Sequence, residues 1–464
     1  MLTYDMTQRG TTPIYDYLYQ CIREDIIYGR LQSRDKLPSK RTLAEHLKIS
    51  LITVTNAYEQ LEMEGYIRAV ERKGYYVEDL SNYVVKETQP DPAMNQDYEE
   101  QEPSYYADFN ANRVKTNMFP YATWSKLMRE VFSEQQEKLL DTVPYNGIYE
   151  LRLAIAQYLK KNRGMDVLPC QVIIGAGVEY LYNRLLMLFG RDYIFGMEEP
   201  GYTKIVKISE GYGIRWDYIP VDQCGIDVDT LEDSGVDIVH VSPANHYPTG
   251  TIMSIKRRIE LFEWVNRIKK RYIIEDDYDS EFMDNGKMIL PLYSTDTRNK
   301  VIYLNTFSKT LVPSLRIGYM ILPIHLIEKY KRTLSFYSCT VSSFEQYTLA
   351  RFISEGYYER HLNRLRKYFT TLRSDFISEI HQSGLDSIAE IIERQSGTYF
   401  CLKVRTDLTM EDIIAKAEQQ RIRLNFYKEA DLYEAGTCIL IINYANLLPD
   451  EVSETVHRLC QIFL

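Results

Sequence analysis

Thr306-Phe-Ser-Lys-Thr-Leu-Val-Pro-Ser-Leu-Arg316, read together with Tyr272-Ile-Ile-Glu-Asp-Asp-Tyr-Asp-Ser-Glu-Phe282, decides the architecture of this chain. Both sit at the end of a short apolar run: Tyr272–Glu275 opens the acidic stretch, and Val301–Asn305 leads into the one that carries Lys309. Three further runs, Gln171–Gly175, Tyr193–Met197 and Asp237–Val241, come before them, separated by segments of helical length. Runs that are apolar throughout suit strands covered on both faces. A strand-helix alternation beginning near residue 107 predicts an α/β domain. The polar residues fall at the carboxyl ends of the strands, where open α/β sheets bind ligands. From about residue 331 the pattern turns helical and then mixed. A large lobe is therefore expected over about 140–330 and a smaller C-terminal lobe over about 331–464.

The residue types in the two stretches have a chemical logic. Lys309 offers an amine that can hold an aldehyde as a Schiff base. Asp276, 33 residues earlier, offers a carboxylate that can keep a pyridine nitrogen protonated, so that the ring accepts electrons. Thr306, Ser308 and Arg316 surround the lysine with hydroxyls and a guanidinium fork, the donor geometry that suits a phosphate dianion. Pyridoxal 5′-phosphate is the cofactor that requires all three. Gly175-Ala176-Gly177 adds a tight turn opening a helix, whose backbone N–H groups can take a phosphate at the positive end of the helix dipole.

Residues 107–464 resemble the fold-type I aminotransferases, with a large α/β/α domain and a small α+β lobe. The resemblance implies that Lys309 is the Schiff-base residue and that Asp276 pairs with the ring nitrogen. In the same way it implies that Tyr278 donates to the phenolic oxygen. Glu199-Pro-Gly-Tyr202 matches the segment that stacks an aromatic ring, here Tyr202, over the cofactor. Pro243-Ala-Asn-His-Tyr-Pro-Thr-Gly250 departs from the family, which commonly has Asn directly before Pro-Thr-Gly. Tyr247 stands there, and His246 either faces the ring or is structural. Asp277, Asp279 and Glu281 alternate with Asp276 and Tyr278 and are expected to point elsewhere.

The chain does not begin as an aminotransferase does. Apolar spacing at Ile14, Leu18, Ile22, Ile26 and Ile27 predicts a helix ending near Gly29. Ser39 caps a second helix, and a third runs from near Ser50 to Gly65. Tyr66–Val77 then reads as a β-hairpin with a basic tip, completing a winged helix-turn-helix over residues 1–78. Lys36-Leu-Pro-Ser-Lys-Arg-Thr-Leu-Ala44, Ile49-Ser50 with Thr53-Val54, Ala57-Tyr58-Glu-Gln-Leu61 and Arg72-Lys-Gly-Tyr-Tyr-Val77 resemble the DNA-binding domain of the GntR family. Lys40, Arg41, Ser50, Thr53 and Asn56 are candidates for phosphate or base-edge contact, and Arg68, Arg72 and Lys73 for wing contact. Position 51 is Leu where that family usually has arginine. Residues 79–106 contain Gln89-Pro-Asp-Pro92 and Asp97-Tyr-Glu-Glu-Gln-Glu-Pro103, and read as an acidic linker.

Composition narrows the setting. The chain has 464 residues, 45% hydrophobic and 26% charged, with a net charge of −10. DNA contact must therefore come from a local patch; residues 1–80 hold 11 Lys and Arg against 12 Asp and Glu. No run reaches the ~18 apolar residues of a membrane span. Seven scattered cysteines show no metal-ligand spacing and fit a reducing cytoplasm.

A GntR-type reader joined to an aminotransferase-like domain resembles the MocR/GabR subfamily of bacterial transcription regulators. That resemblance, which includes Phe119-Pro120, Trp124 and Gly147-Ile-Tyr-Glu-Leu-Arg152, implies a cytoplasmic homodimer. In it the cofactor domain senses pyridoxal phosphate or an amine and sets binding to duplex operator DNA with two half-sites. Two other readings are an active aminotransferase with an accessory reader, and a cofactor-free dimerisation scaffold, against which the retained Lys309, Asp276, Tyr278 and Arg316 argue. Ile441-Ile-Asn-Tyr-Ala445 places Ile441 where many α-amino-acid aminotransferases carry a carboxylate-binding arginine. The loop 428–437 offers only Lys428 as a cation.

Overall fold

The computed structural model describes residues 2–80, 104–110, 118–282, 289–392, 398–427 and 436–464. Most of the expected linker and most of the loop around Lys428 lie outside them. The described residues fall into two units, Met1–Glu102 and Pro103–Leu464.

The first unit is three helices and a hairpin: α1 (Ile14–Ile27), α2 (Lys40–Leu47), α3 (Leu51–Met63), β1 (Ile67–Val70) and β2 (Gly74–Val77). Ser39 and Ser50 cap α2 and α3, each side chain accepting from the backbone N–H three residues on at 3.1 Å. Leu18, Ile22, Leu43, Val54, Ala57, Tyr58 and Leu61 recur at helical spacing and close one core with Ile67 and Val77 of the wing. That apolar stripe fixes which face of α3 is left outward.

In the second unit the chain builds an eight-stranded mixed sheet. Its strands are β3 (Val172–Gly175), β4 (Ile194–Glu199), β5 (Arg215–Asp222), β6 (Gly225–Ile226), β7 (Ile238–Val241), β8 (Tyr272–Asp276), β9 (Val301–Thr306) and β10 (Gly318–Ile321). They lie in the order β3-β10-β9-β8-β7-β4-β5-β6. The central five, from β9 to β5, run parallel, whereas β10 is antiparallel to both its neighbours. β3, β7, β8 and β9 are buried along their whole length, which is why they read as continuous apolar runs. Helix α4 (Tyr149–Arg163) contributes to the core on one face and α5 (Val178–Phe189) to the core on the other.

The small lobe is a three-stranded antiparallel sheet, β11 (Ala389–Ile392), β12 (Tyr399–Arg405) and β13 (Thr437–Asn443). It packs with the C-terminal part of α6 (Tyr357–Gln382), including Phe369, Leu372 and Phe376. The large-lobe core reaches past residue 331: Leu349, Phe352 and Ile353 pack with Trp124, Leu127 and Leu151. At the other end, Ala107–Asp108 pairs in parallel with Ile422–Arg423, and Phe109 is buried in the small-lobe core. Both lobes therefore draw on chain segments distant in sequence, which local periodicity does not register.

Candidate functional site

At the carboxyl end of β8, Asp276 is 6% exposed. Its Oδ2 stands 3.6 Å from His240 Nε2, while its buried Oδ1 has no hydrogen-bond partner among the described residues. Leaving a carboxylate oxygen buried and unsatisfied is costly, so this oxygen is built to meet a donor. Lys309 follows β9, with its Nζ 3.6 Å from Asp279 Oδ2, 3.5 Å from Thr398 Oγ1 and 4.6 Å from the Tyr278 ring centroid. Burial holds the Asp279 carboxyl above its ordinary range even with the lysine ammonium beside it. Tyr278 Oη lies 3.4 Å from Tyr399 Oη, and burial raises its phenol well above the ordinary value.

The turn Gly175-Ala176-Gly177 follows β3 and opens α5. Gly177, with φ +87°, is the N-cap of α5 and supplies no side chain, so the first turn points bare N–H groups outward. A Cβ at Gly177 would lie 3.2 Å from the Arg316 guanidinium, and one at Gly175 would lie 2.5 Å from Tyr180. Glycine is needed at both places for the turn to close. Ala176 N–H donates to Thr340 Oγ1 at 3.2 Å. Thr306 and Ser308 hydroxyls lie 2.9 Å apart, and Arg316 reaches Glu179 at 3.0 Å from a half-exposed position. A helix N-terminus beyond β3, two hydroxyls at the end of β9 and a guanidinium just before β10, with a buried acid oxygen at the end of the neighbouring β8, fit a phosphorylated pyridine.

Tyr202 borders this region but is 42% exposed and meets Tyr247 edge-on, with ring centroids 6.5 Å apart. His246 is buried, bonded to Thr249 Oγ1 at 2.8 Å and 3.6 Å from Glu198. Of the intervening acids, Asp277 does turn away, to a buried contact with Arg163 and the Tyr303 hydroxyl. Glu281 accepts from Asn305 at 3.1 Å. Asp279 does not turn away; it faces Lys309. Three site residues escaped the sequence reading: His240, Asn245, whose Nδ2 donates to Asp279 at 3.3 Å, and Thr398. A polar residue within the buried run Ile238-Val-His-Val241 was the one available signal for His240.

Ile441 is buried in a cluster with Tyr399, Cys401, Tyr427 and Ile439, against which Tyr247 packs. An apolar wall therefore occupies the position where a carboxylate-binding arginine was sought.

On the reader, Arg41, Asn56, Arg68, Arg72 and Lys73 are exposed. Ser50 is committed to capping α3, its hydroxyl 2.8 Å from that of Thr53. Lys40 lies 3.6 Å from Glu59 and over the Tyr75 ring, and Arg68 pairs with Glu78 at 3.2 Å. Arg72 occupies the hairpin turn with φ +58°.

Comparison with known proteins agrees with both halves. The aminotransferase class I and II family matches residues 108–447, and the gntR family of bacterial regulatory proteins matches residues 14–77. The chain is 36% identical over 447 residues to the uncharacterized HTH-type transcriptional regulator YdeL of Bacillus subtilis, covering 96% of each protein. It is 28% identical over 466 residues to the probable rhizopine catabolism regulatory protein MocR of Rhizobium meliloti, covering 97% of this chain and 94% of that one. The multiple substrate aminotransferase of Thermococcus profundus superposes with a TM-score of 0.67 at 23% identity, over 78% of this chain and 92% of that one, which shows the shared fold. A winged reader of the gntR type, a fold-type I domain and relatives spanning nearly the full length all agree: the chain belongs to the MocR/GabR subfamily of GntR-type transcription regulators.

Proposed function

We propose that residues 107–464 hold pyridoxal 5′-phosphate on Lys309 and sense an amine, or the cofactor itself. A homodimer would pass that state to the DNA reader of residues 1–78. The observation that carries this reading is the unsatisfied Asp276 Oδ1 at the strand end beside the lysine strand. When bound, the cofactor supplies an electrophilic carbon and an electron-accepting ring. Asp276 accepts the ring N–H and His240 holds that carboxylate in place. Gly175, Ala176, Gly177, Thr306, Ser308 and Arg316 bind the phosphate, Tyr278 offers its phenolic proton, and Tyr202 covers the outer face. Lys309 provides the covalent anchor, with Asp279 and Thr398 orienting its ammonium. Ile441 and its apolar neighbours give a carboxylate no ionic contact, which favours sensing over multiple-turnover transamination.

The test is to titrate the purified dimer with amines and with pyridoxal phosphate while following visible absorbance and duplex binding together. Borohydride should fix a pyridoxyl group onto Lys309, and Lys309→Ala should abolish the adduct. A retained adduct in that variant, or duplex binding indifferent to every amine and to the cofactor, would overturn the proposal.

A further inference from the structure

Helix α3 presents an unusual surface to a nucleic acid. From Ser50 to Tyr58 it carries no Lys, Arg, Asp or Glu; the first charged residue is Glu59, already within 3.6 Å of Lys40. Val54, Ala57, Tyr58 and Leu61 are buried, which turns Ile52 and Asn56 outward on the opposite side. Ile52, at the second helical position, is 72% exposed, and Leu51 beside it is 43% exposed. Asn56 stands one turn further along the same face, and residues four apart on a helix are neighbours. Exposing a large β-branched side chain at the tip of a helix gains nothing for folding.

The major groove distinguishes base pairs by donors, acceptors and one apolar group, the thymine 5-methyl. Guanine is most often read by Arg or Lys reaching O6 and N7, and this part of α3 has neither. The cations of the unit lie elsewhere, among them Arg41 and Lys48 at the two ends of α2, and Arg72 and Lys73 in the turn of the wing. Those places suit phosphate contact, which positions a reader without reading sequence.

Resting on the regulator reading above, we propose that Ile52 reads thymine through its 5-methyl group and Asn56 reads adenine through N6 and N7. The sites chosen by α3 are then A·T at those positions. Leu51 borders the same methyl-facing patch.

The experiment uses the full chain. Duplexes are selected from a randomised pool, and each thymine of the selected half-site is replaced by deoxyuridine, which lacks only the 5-methyl. We expect binding to weaken about fourfold for each methyl that Ile52 covers. Ile52→Ala should bind thymine and uracil sites alike while keeping the salt dependence of wild type, since no phosphate contact is lost. Asn56→Ala should relax the preference at adenine. Because Ile52 is exposed and outside the core, its variant should keep wild-type thermal stability. Full tolerance of uracil in wild type, or selected half-sites that are G·C at these positions, would overturn the assignment while leaving the reader itself intact. Failure to select any duplex would overturn the regulator reading as well.

Discussion

His240 Nε2 stands 3.6 Å from Asp276 Oδ2, across two adjacent strands whose register pairs His240 with Ile274. Because side chains alternate along a strand, Ile274 and Asp276 share one face, and His240 meets that face from the neighbouring strand. His240 is therefore placed to act on the acid from the side, as a positioning residue. Asp276→Ala should weaken cofactor binding by about 1.5–3 kcal/mol, the range of a hydrogen bond to a charged group. His240→Ala should weaken it less, and should shift the visible spectrum toward that of the Asp276 variant. Equilibrium titration of apoprotein with spectral readout checks both. An unchanged spectrum in the histidine variant would remove His240 from this role.

Burial pushes the Glu198 carboxyl up to about 8 from its ordinary 4.5. The folded state therefore holds a proton there that the unfolded chain releases above pH 4.5. Stability associated with this group is fully present below that value and is lost as pH rises through about 8. Glu198→Gln keeps an acceptor for the Ser242 N–H but cannot titrate. Urea unfolding from pH 5 to 8.5 should show a shallower decline in the variant, by up to about one proton in the linkage slope.

Arg163 and Asp277 form a buried ion pair, reinforced by the Tyr303 hydroxyl donating to Asp277 at 2.6 Å. Removing one partner leaves the other charge uncompensated. Arg163→Ala should cost about 3–5 kcal/mol in chemical unfolding. Replacing both residues with apolar ones of similar volume should cost less than the single change.

Arg41 and Arg72 are exposed on the reader at places suited to phosphate. Charge removal at either should reduce the slope of log affinity against log salt by about one, roughly equally for all sequences. A slope unchanged in both variants would place the phosphate contacts elsewhere.

Steady-state assays across amino acids, ω-amino acids and diamines should show turnover far below the typical range of about 1–1000 per second. The reason is geometric: without an ionic clamp at position 441, a substrate loses its orientation over the lysine. Misplacement of that kind costs on the order of 100-fold. Fast turnover on any donor, unaffected by deleting residues 1–78, would favour the enzyme reading.

The strands that end at Asp276 and just before Lys309 were legible because they are buried throughout, so their apolar runs survive without any alignment. Their observed bounds differ from the expected ones by a residue, Asp276 and Thr306 each being the last of its strand. The cap at Ser39 and the start of α3 near Ser50 were legible because helix starts are set by local chemistry. Asp279 was misjudged because alternation along a strand stops at Asp276; the turn beyond it aims the side chain back toward Lys309. Thr398 could not be foreseen, since it approaches from a lobe 89 residues further along the chain. The extent of the lobes was hidden for the same reason: Phe109 packs with a core built mainly from residues beyond 360.

The first described residues of the second unit, from Ser104 on, are bound into the small lobe. Tyr106 N–H donates to Arg421 O at 2.7 Å, the Arg421 guanidinium reaches back to Ser104 O at 2.9 Å, and Ala107–Asp108 pairs with Ile422–Arg423. The segment that opens the second unit is thus moored to the small lobe, the same lobe that supplies Thr398 and Tyr399 to the lysine pocket. A displacement of that lobe would carry residues 104–108 and the Thr398 side of the lysine pocket together, so the opening segment of this unit and the pocket wall answer to the same movement.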